Sequence, residues 1–526
     1  MATPFGTAIS SHTLDHLGLV AGMYDELGIG EVLDRTVPQD ARQRQVSVGQ
    51  AVKALVLNGL GFVNRALYLV PHFFTDKPTE RLIGAEIRPE QLNDDVLGRV
   101  LDSLYAHDVT ALFSVISAQA CQRLGLVGSR VHLDATSFHV DGDYAAAEQV
   151  GVVTLTQGYS RDRRPDLNQV MLNLVVEQRA GLPLLMQPLS GNSNDTASFG
   201  RLIETHIDQL NTTHQVDYWV ADSALYSEAN VQVLAAHRSH WITRVPETLT
   251  LAQQQCAQVG DPQQLLPGYH YRRVEVDYGG VTQRWLVITS AQALQRAEAS
   301  IARQLGKTSD RELKAWRQLS RQRFACAADA HQALSSFQAS LQVLQLAEAG
   351  VQHTVSEHPL PWSVHAQPAS DPDVRWDWLW RRATFILATN ELDTQRLSDQ
   401  DVLRTYKQQS RVERGFRFLK DPRFQAHTLF LKSPQRIMAL LMVMTLCLMV
   451  YAALEYRLRQ ALQETDSTVP DQQGKPSQRP TMRWTFQLFT GIHVLLIDQQ
   501  PPIVLNVKPA QQHVIQLLGP PYQTLC

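Results

Sequence analysis

Hydrophobic and polar positions along the chain follow two different periods, and the change between them comes at residue 130. Up to residue 127 the apolar positions recur every three to four residues, the spacing of one helix face. Helices are predicted over 13–27 ending at Gly28, over 48–58 behind the capping pair Ser47/Gln50, over 94–105, and over 109–124 ending at Gly125. From Arg130 the apolar residues gather into short runs: RVHLDATSF (130–138), NQVMLNLVVE (168–177), LPLLMQPL (182–189), VDYWVAD (216–222) and HWITRV (240–245). These read as strands, with helical patterns near 197–210 and 227–238 between the later ones. Three strands, a helix, a strand, a helix and a strand predict an α/β fold built on a mixed sheet.

The order breaks at Pro246. Residues 247–372 combine a glutamine-rich stretch, the strand pair YHYRRVEVDY and TQRWLVITS, a charged helix opening at Ser309 with Glu312 as its capping partner, and a Pro/His/Ser-rich run, which together predict an insertion. The strand ATFILATN (383–390) then leads into a basic helix at about 400–420. The run MALLMVMTLCLMVYAAL (438–454) carries only Thr445 and Tyr451 as polar residues; at 17 residues it sits at the low edge for a bilayer, and polar sequence flanks it, so a buried core helix is expected. The resulting segments are a helical N-terminal domain (1–127), a sheet-forming core in two parts (128–246 and 373–460), an insertion (247–372), and a linker with a small C-terminal segment (461–526). No internal repeat is visible.

Composition narrows the class. The chain has 526 residues, 44% hydrophobic and 19% charged, enough for several domains and at least one large core. A net charge of −3 gives no global sign of nucleic-acid binding, and residues 1–127 hold 10 Lys/Arg against 14 Asp/Glu, so any such interface must be local. Five scattered cysteines without a C-x-x-C pair speak against a disulfide framework and a cysteine zinc site, and fit a reducing cytoplasm. The N-terminus shows no secretory pattern.

The local charge lies in RTYKQQSRVERGFRFLKDP (404–422), where six cations surround the single acid Glu413 ahead of the turn signal Asp421-Pro422; residues 401–436 carry nine Lys/Arg against three Asp/Glu. On a continuous helix Tyr406, Gln409, Glu413, Phe416 and Lys420 share one face. By itself this reads as a solvated basic helix with Glu413 paired to Arg417. Two further acids change that picture. Asp134 sits partway along an apolar strand, where an acid is costly unless paired or metal-bound, although a satisfied buried acid is an equal reading for it alone. Asp222 ends YWVAD and runs into a turn and a helix capped at Ser227, the place where open α/β sheets carry their sites, and it reads equally as a cap. Three converging carboxylates repel one another unless divalent cations fill the site, and hard oxygen ligands suit Mg²⁺ or Mn²⁺.

HLDATSFHVDG, GYSRDRRPDLNQVMLNLVV, GLPLLMQPLSGNSNDTASF, WVADSALYS and YKQQSRVERGFRFLK together resemble the DDE transposases of bacterial insertion sequences. The resemblance runs from about 130 to 424 and extends to the helical N-terminal region. It implies an RNase H-like core interrupted by a β-rich insertion before the last acid, with Asp134, Asp222 and Glu413 as ligands of two Mg²⁺ ions that Mn²⁺ replaces. The family's signature helix places Tyr, Arg, Glu and Lys where this chain has Tyr406, Gln409, Glu413 and Lys420. The arginine is therefore missing, and Arg411 stands about 200° round the helix from Gln409.

Implied with the resemblance are DNA contacts from Tyr406, Lys407, Gln409, Arg411, Arg414, Arg417 and Lys420. A second basic stripe, Arg311, Lys314, Arg317 and Arg321, is a DNA contact or a solvated face. The implied partners are the terminal inverted repeats and target DNA, bound by a homodimer on paired ends, in a cytoplasmic, nucleoid-associated protein that spans no membrane. Relatives that excise through a hairpin hold a flipped base with an insertion-domain aromatic, and Trp285, Trp316 and Trp362 are available for that here. A nuclease of the same fold without strand transfer, and a DNA-binding protein that has lost catalysis, stay open as alternatives.

Overall fold

The computed structural model describes residues 9–38, 45–62, 67–126, 130–140, 144, 151–160, 164–258, 263–354, 359–421, 431–498 and 500–526. They form two compact units, one from residues 1–242 with 404–526 and one from 243–403. The chain leaves the first unit within one strand and returns within one helix.

The first unit opens on a strand, β1 (Ile9–Thr13), where only helices were expected. Its residues are polar and mostly exposed, so no local pattern announces it; antiparallel pairing with a strand near residue 495 creates it. Helices α1 (Leu17–Glu26) and α2 (Ile29–Thr36) follow, separated by Gly28 at φ 68°, a left-handed turn that glycine takes without strain. The one helix expected over 13–27 thus ends where predicted, and a second begins at once. Helix α3 (Val48–Leu60) is buried along its length and opens on the capping box read from the sequence: Gln50 N–H donates to Ser47 Oγ at 3.1 Å, and Ser47 N–H to Gln50 Oε1 at 2.9 Å. Short helices α4 (Val70–Phe74) and α5 (Thr79–Leu82) lead to α6 (Asp94–Ala106) and α7 (Val109–Leu124), the latter closed by Gly125 at φ 64°.

Strands β2 (Arg130–Val140), β3 (Asn168–Glu177) and β4 (Pro183–Ser190) form an antiparallel meander. Helix α8 (Asp195–His214) returns the chain so that β5 (Tyr218–Ala221) lies parallel to β2 on its other side; α9 (Glu228–Ala236) leads to β6 (His240–Arg244) next to β5. The order β4-β3-β2-β5-β6 is a mixed sheet, as predicted.

The second unit holds α10 (Thr250–Ala257) and the strands β7 (Gln263–Leu266), β8 (Tyr269–Tyr278) and β9 (Val281–Ser290). Helix α11 (Ala291–Leu319) is 29 residues long and capped by Ser290. Ser309 therefore lies inside a helix and not at its start, because the helix capped at Ser290 continues through Gly306. Glu312 is no capping partner either: it is buried, and its carboxylate accepts the backbone N–H groups of Gln342 (2.8 Å), Val343 (3.3 Å) and Leu344 (2.9 Å). Helix α12 (Ala327–Ser340), the hairpin β10 (Leu344–His353) and β11 (Trp362–Ser370), α13 (Pro372–Ala383) and β12 (Thr384–Thr389) complete the unit, with strand order β12-β9-β8-β7. The buried Asp399 takes Arg273 at 2.5 Å, Arg284 at 3.1 Å and the Tyr271 hydroxyl at 2.9 Å.

Helix α14 (Asp399–Lys407) returns the chain to the first unit, followed by α15 (Ser410–Leu419) and the 31-residue α16 (Pro434–Glu464). Helix α16 is long and apolar enough to cross a membrane, and 89% of its most apolar window is buried in the protein. It packs against α1, α3, α6, α7 and β4. Its two polar residues within 438–454 are satisfied: Thr445 Oγ1 donates to the Leu441 carbonyl at 2.8 Å, and the Tyr451 hydroxyl accepts Arg483 N–H at 3.0 Å. The small ladder β13 (Val469–Pro470) with β14 (Pro476–Ser477), α17 (Met482–Leu488), β15 (His493–Ile497), β16 (Ile503–Leu505), α18 (Pro509–Leu518) and α19 (Pro520–Leu525) close the chain, and β1-β15-β16 form a separate sheet. All five cysteines are free.

Two outcomes follow from this packing. Leu441 is fully buried on α16, so Leu441→Asp is expected to lose more than about 4 kcal/mol of stability, read as a lowered denaturant midpoint; an unchanged midpoint would contradict the burial. Glu312→Gln turns an acceptor of three N–H groups into an amide, and should cost about 1–3 kcal/mol. Hydrogen exchange at residues 342–344 is expected to speed up first, and unchanged exchange there would show that the carboxylate does not hold that turn.

Candidate active site

Successive side chains on a strand alternate faces, so Arg130, His132, Asp134, Thr136 and Phe138 share one face of β2. The parallel register pairs Arg130 with Tyr218 and continues to Leu133 with Ala221. Asp134 comes one residue after that last pair within β2, and Asp222 is the first residue past the end of β5; the Arg130 guanidinium lies 5.5 Å over the Tyr218 ring. Adjacent strands are about 4.8 Å apart, so the register leaves the backbones of the two acids at neighbouring positions. Asp134 is 7% exposed, and its Oδ1 accepts the Ala135 N–H at 2.8 Å. Asp222 is half-buried; its Oδ1 accepts the Ala224 N–H at 2.9 Å and opens the turn toward α9, which Ser227 caps as the sequence suggested.

The basic segment crosses the same face. Arg130 donates to the Thr405 hydroxyl of α14, and Lys420 Nζ, at the end of α15, lies 5.9 Å from the centroid of Phe138. Asp134 lies between Arg130 and Phe138 on β2, and Glu413 lies between Thr405 and Lys420 along the chain. The Glu413 carboxylate itself is 60% exposed and 4.0 Å from Arg417 Nη2, the i,i+4 pair foreseen as its bland role. Among the described residues no three His, Cys, Asp or Glu side chains converge closely enough to hold a metal ion. The register of β2 with β5 leaves Asp134 and Asp222 at neighbouring backbone positions, α14 and α15 meet β2 at Arg130 and Phe138, and the Glu413 carboxylate is exposed.

The single helix predicted at 400–420 is two. Gln408 and Gln409 N–H groups bond three residues back, to Thr405 and Tyr406, and a turn separates α14 from α15. The buried positions explain it: 402, 403 and 405 in α14 and 409, 412, 416 and 419 in α15 would lie roughly 60–70° apart round one continuous helix, so the turn lets each half bury its own stripe. Glu413 and Lys420 remain on a common edge of α15, beside that stripe. Gln409, in the place of the signature arginine, is 8% exposed, and its Oε1 has no hydrogen-bond partner among the described residues. Tyr406 and Lys420 are half-buried; Lys407, Arg414 and Arg417 are exposed; the Arg411 side chain lies outside the described residues.

In the second unit Arg311, Lys314 and Arg317 are exposed along α11, and Arg321 is exposed just past its end. Trp285 and Trp316 are buried, and Trp362 packs on a small core with Trp316, so neither buried ring is available to hold a base as folded. Trp376 on α13, which the pattern did not single out, is 64% exposed. Sequence reasoning also missed a group of arginines, Arg179, Arg459 and Arg479, that joins Arg414 around one cavity. They stand singly in distant segments, so no local run signals them.

The profile described as "Transposase DDE domain" matches residues 127–450, and one described as a domain of unknown function, DUF4277, matches residues 9–118. No curated protein matches the chain. Two solved structures align with it: a piggyBac transposase synaptic complex with hairpin DNA, 9% identical over 91% of this chain and 80% of that one, with a TM-score of 0.39, and the Mos1 transposase paired-end complex with left transposon end, 13% identical over 29% of this chain and 51% of that one, with a TM-score of 0.16. With the DDE domain covering more than half of its length and spanning both strand acids and the helix of Glu413, the chain belongs to the DDE transposase family and is a transposase of DNA recombination.

Proposed function

We propose that the chain is the transposase of a bacterial insertion sequence, acting in the cytoplasm on the nucleoid, which binds the terminal inverted repeats of its own element, cuts the ends and joins their 3′-hydroxyls to target DNA. The observation that supports the reading is the register of β2 with β5, which leaves Asp134 and Asp222 at neighbouring backbone positions, together with the contact of Lys420, at the end of the helix of Glu413, with Phe138 of β2. The strand order β4-β3-β2-β5-β6, three antiparallel strands followed by a parallel one, supports an RNase H-like core. Residues 1–127 are assigned to end recognition, 128–246 and 373–460 to that core, 247–372 to an insertion, and 461–526 to a linker and C-terminal segment.

The donor set fits divalent cations. Two carboxylates side by side at a strand spacing repel by on the order of 3 kcal/mol at an effective dielectric near 20, a cost that Mg²⁺ or Mn²⁺ reverses. Asp134 would bridge two ions, with Asp222 and Glu413 each completing one. Such a pair supplies activation of a water or a 3′-hydroxyl and neutralisation of the leaving oxygen. Glu413 turns inward at small cost, because its exposed contact with Arg417 is worth only about 0.3–0.5 kcal/mol. Its neighbours Tyr406, Lys407, Arg411, Arg414, Arg417 and Lys420 would hold the DNA backbone, with Lys420 beside β2 through its position over Phe138. Gln409, buried in the stripe of α15, would hold the helix in place. A homodimer on two paired ends is the proposed active form.

The test is cleavage of labelled DNA carrying the ends of the element that encodes the chain, with Mg²⁺, followed by a joining assay on target plasmid. Asp134→Asn, Asp222→Asn and Glu413→Gln are each expected to lower cleavage by at least ~10³-fold, the scale of losing a transition-state contact, while end binding and the melting temperature stay close to wild type. Retained cleavage in one variant removes that residue from the site; cleavage without joining leaves a nuclease.

A further inference from the structure

The arginines that no sequence run announced surround a cavity of about 780 Å³ in the first unit. Its walls are the turn between β3 and β4, which brings Arg179; α15, which brings Arg414; α16, which brings Tyr456 and Arg459; and the segment before α17, which brings Arg479. Four guanidinium groups meet one lining carboxylate, Glu455, an excess of three positive charges (4 − 1). That carboxylate is already engaged, with Arg459 at 2.7 Å and the Met482 N–H at 3.0 Å.

The four cations are not equivalent. Arg459 is held as structure: its Nε and Nη2 donate to the Pro480 carbonyl at 3.0 and 2.9 Å, which fixes the residue next to Arg479. Burial lowers its pKa, Glu455 opposes that, and nearby Arg414 and Arg479 add to the lowering. Arg179 leans on Glu177 at 3.3 Å with 46% of its side chain exposed. Among the described residues the Arg414 and Arg479 side chains have no hydrogen-bond or ion-pair partner, although each is exposed beside like charge. Like charges gathered without counter-ions cost stability, and an anion entering the cavity would relieve that cost.

We infer that this cavity is a second phosphate-binding subsite, which takes the sugar-phosphate backbone of a DNA strand beside the acids. Arg414 follows Glu413 on α15, about 100° round the helix, so one helix presents the third acid on one flank and a cavity cation on the next. A strand lying along α15 at the acids continues over the cavity mouth. Planar guanidinium forks match phosphate oxygens two at a time, and Tyr456 in the lining offers a ring against a base or sugar. The assignment of the anion to DNA rests on the transposase reading above; the positive cavity itself does not.

The test uses the full chain and the double variant Arg179→Ala/Arg479→Ala, which leaves the acids, α15 and the clamp of Arg459 intact. Binding to labelled element-end DNA is measured over a series of salt concentrations. Loss of two phosphate contacts should reduce the slope of log K against log salt by roughly 1.4–1.8, with the melting temperature within a few degrees of wild type. Arg179→Lys/Arg479→Lys should restore most of the slope, since a cation remains. If the double variant does not fold, Arg479→Gln alone should reduce the slope by about 0.7–0.9. A slope equal to wild type overturns the inference.

A second arm follows thermal stabilisation of the wild type by pyrophosphate and by the dinucleotide pTpT. Stabilisation by pTpT that is lost in the alanine variant is the expected result. Stabilisation by pyrophosphate with an unchanged DNA slope would assign the cavity to soluble phosphates and overturn the DNA source. Failure of the transposase reading looks different: the wild type itself would then show no salt-dependent binding to element ends.

Discussion

Burial of α16 is the constraint on which the first unit depends. A helix with seventeen consecutive residues of which only two are polar must be covered on all sides, and α1, α3, α6, α7 and β4 pack against it. That cover is also the floor of the site. Helix α15 lies on α16, with Phe418 4.2 Å from Tyr451 between ring centroids, and a Cβ added at Gly415 would come within 3.2 Å of Leu448. The helix that carries Glu413 is thus set by an apolar contact on one side, while Lys420 at its end meets Phe138 of β2 and Arg130 of β2 holds Thr405 of the preceding α14.

The charge pattern follows from this arrangement. Parallel pairing of β2 with β5 leaves the backbones of Asp134 and Asp222 at neighbouring positions. Cations then occupy both flanks of α15. Arg417 lies beside Glu413, and Arg414 joins a cavity in which Arg459, clamped to the Pro480 carbonyl, fixes the segment of Arg479. An overall charge near zero conceals this separation, which is why composition gave no sign of a polyanion as partner.

What was legible in the sequence was what local physics determines. The cap at Ser47/Gln50, the left-handed glycines at 28 and 125, and the apolar runs of β2 to β6 all appear where their residues imply. Non-local causes were not legible. Strand β1 exists only through a partner almost five hundred residues away, and α11 runs on through Gly306 and Ser309. The turn at Gln408–Gln409 needs knowledge of which side of each half-helix is covered. Of the three acids, the strand register leaves two at neighbouring backbone positions, and Glu413 is exposed beside Arg417. The arginine cavity draws on four segments and has no sequence signature at all.

Convergence of Asp134, Asp222 and Glu413 on shared metal ions is tested most directly by replacing Mg²⁺ with Fe²⁺ in the complex with element-end DNA and adding ascorbate and peroxide. Radicals formed at the bound iron cut the nearest backbone, and the fragments can be mapped by mass. Cuts are predicted near residues 134, 222 and 413 together, all suppressed by excess Mg²⁺. Cuts near 134 and 222 without one near 413, or cuts that excess Mg²⁺ leaves unchanged, would contradict a site completed by Glu413.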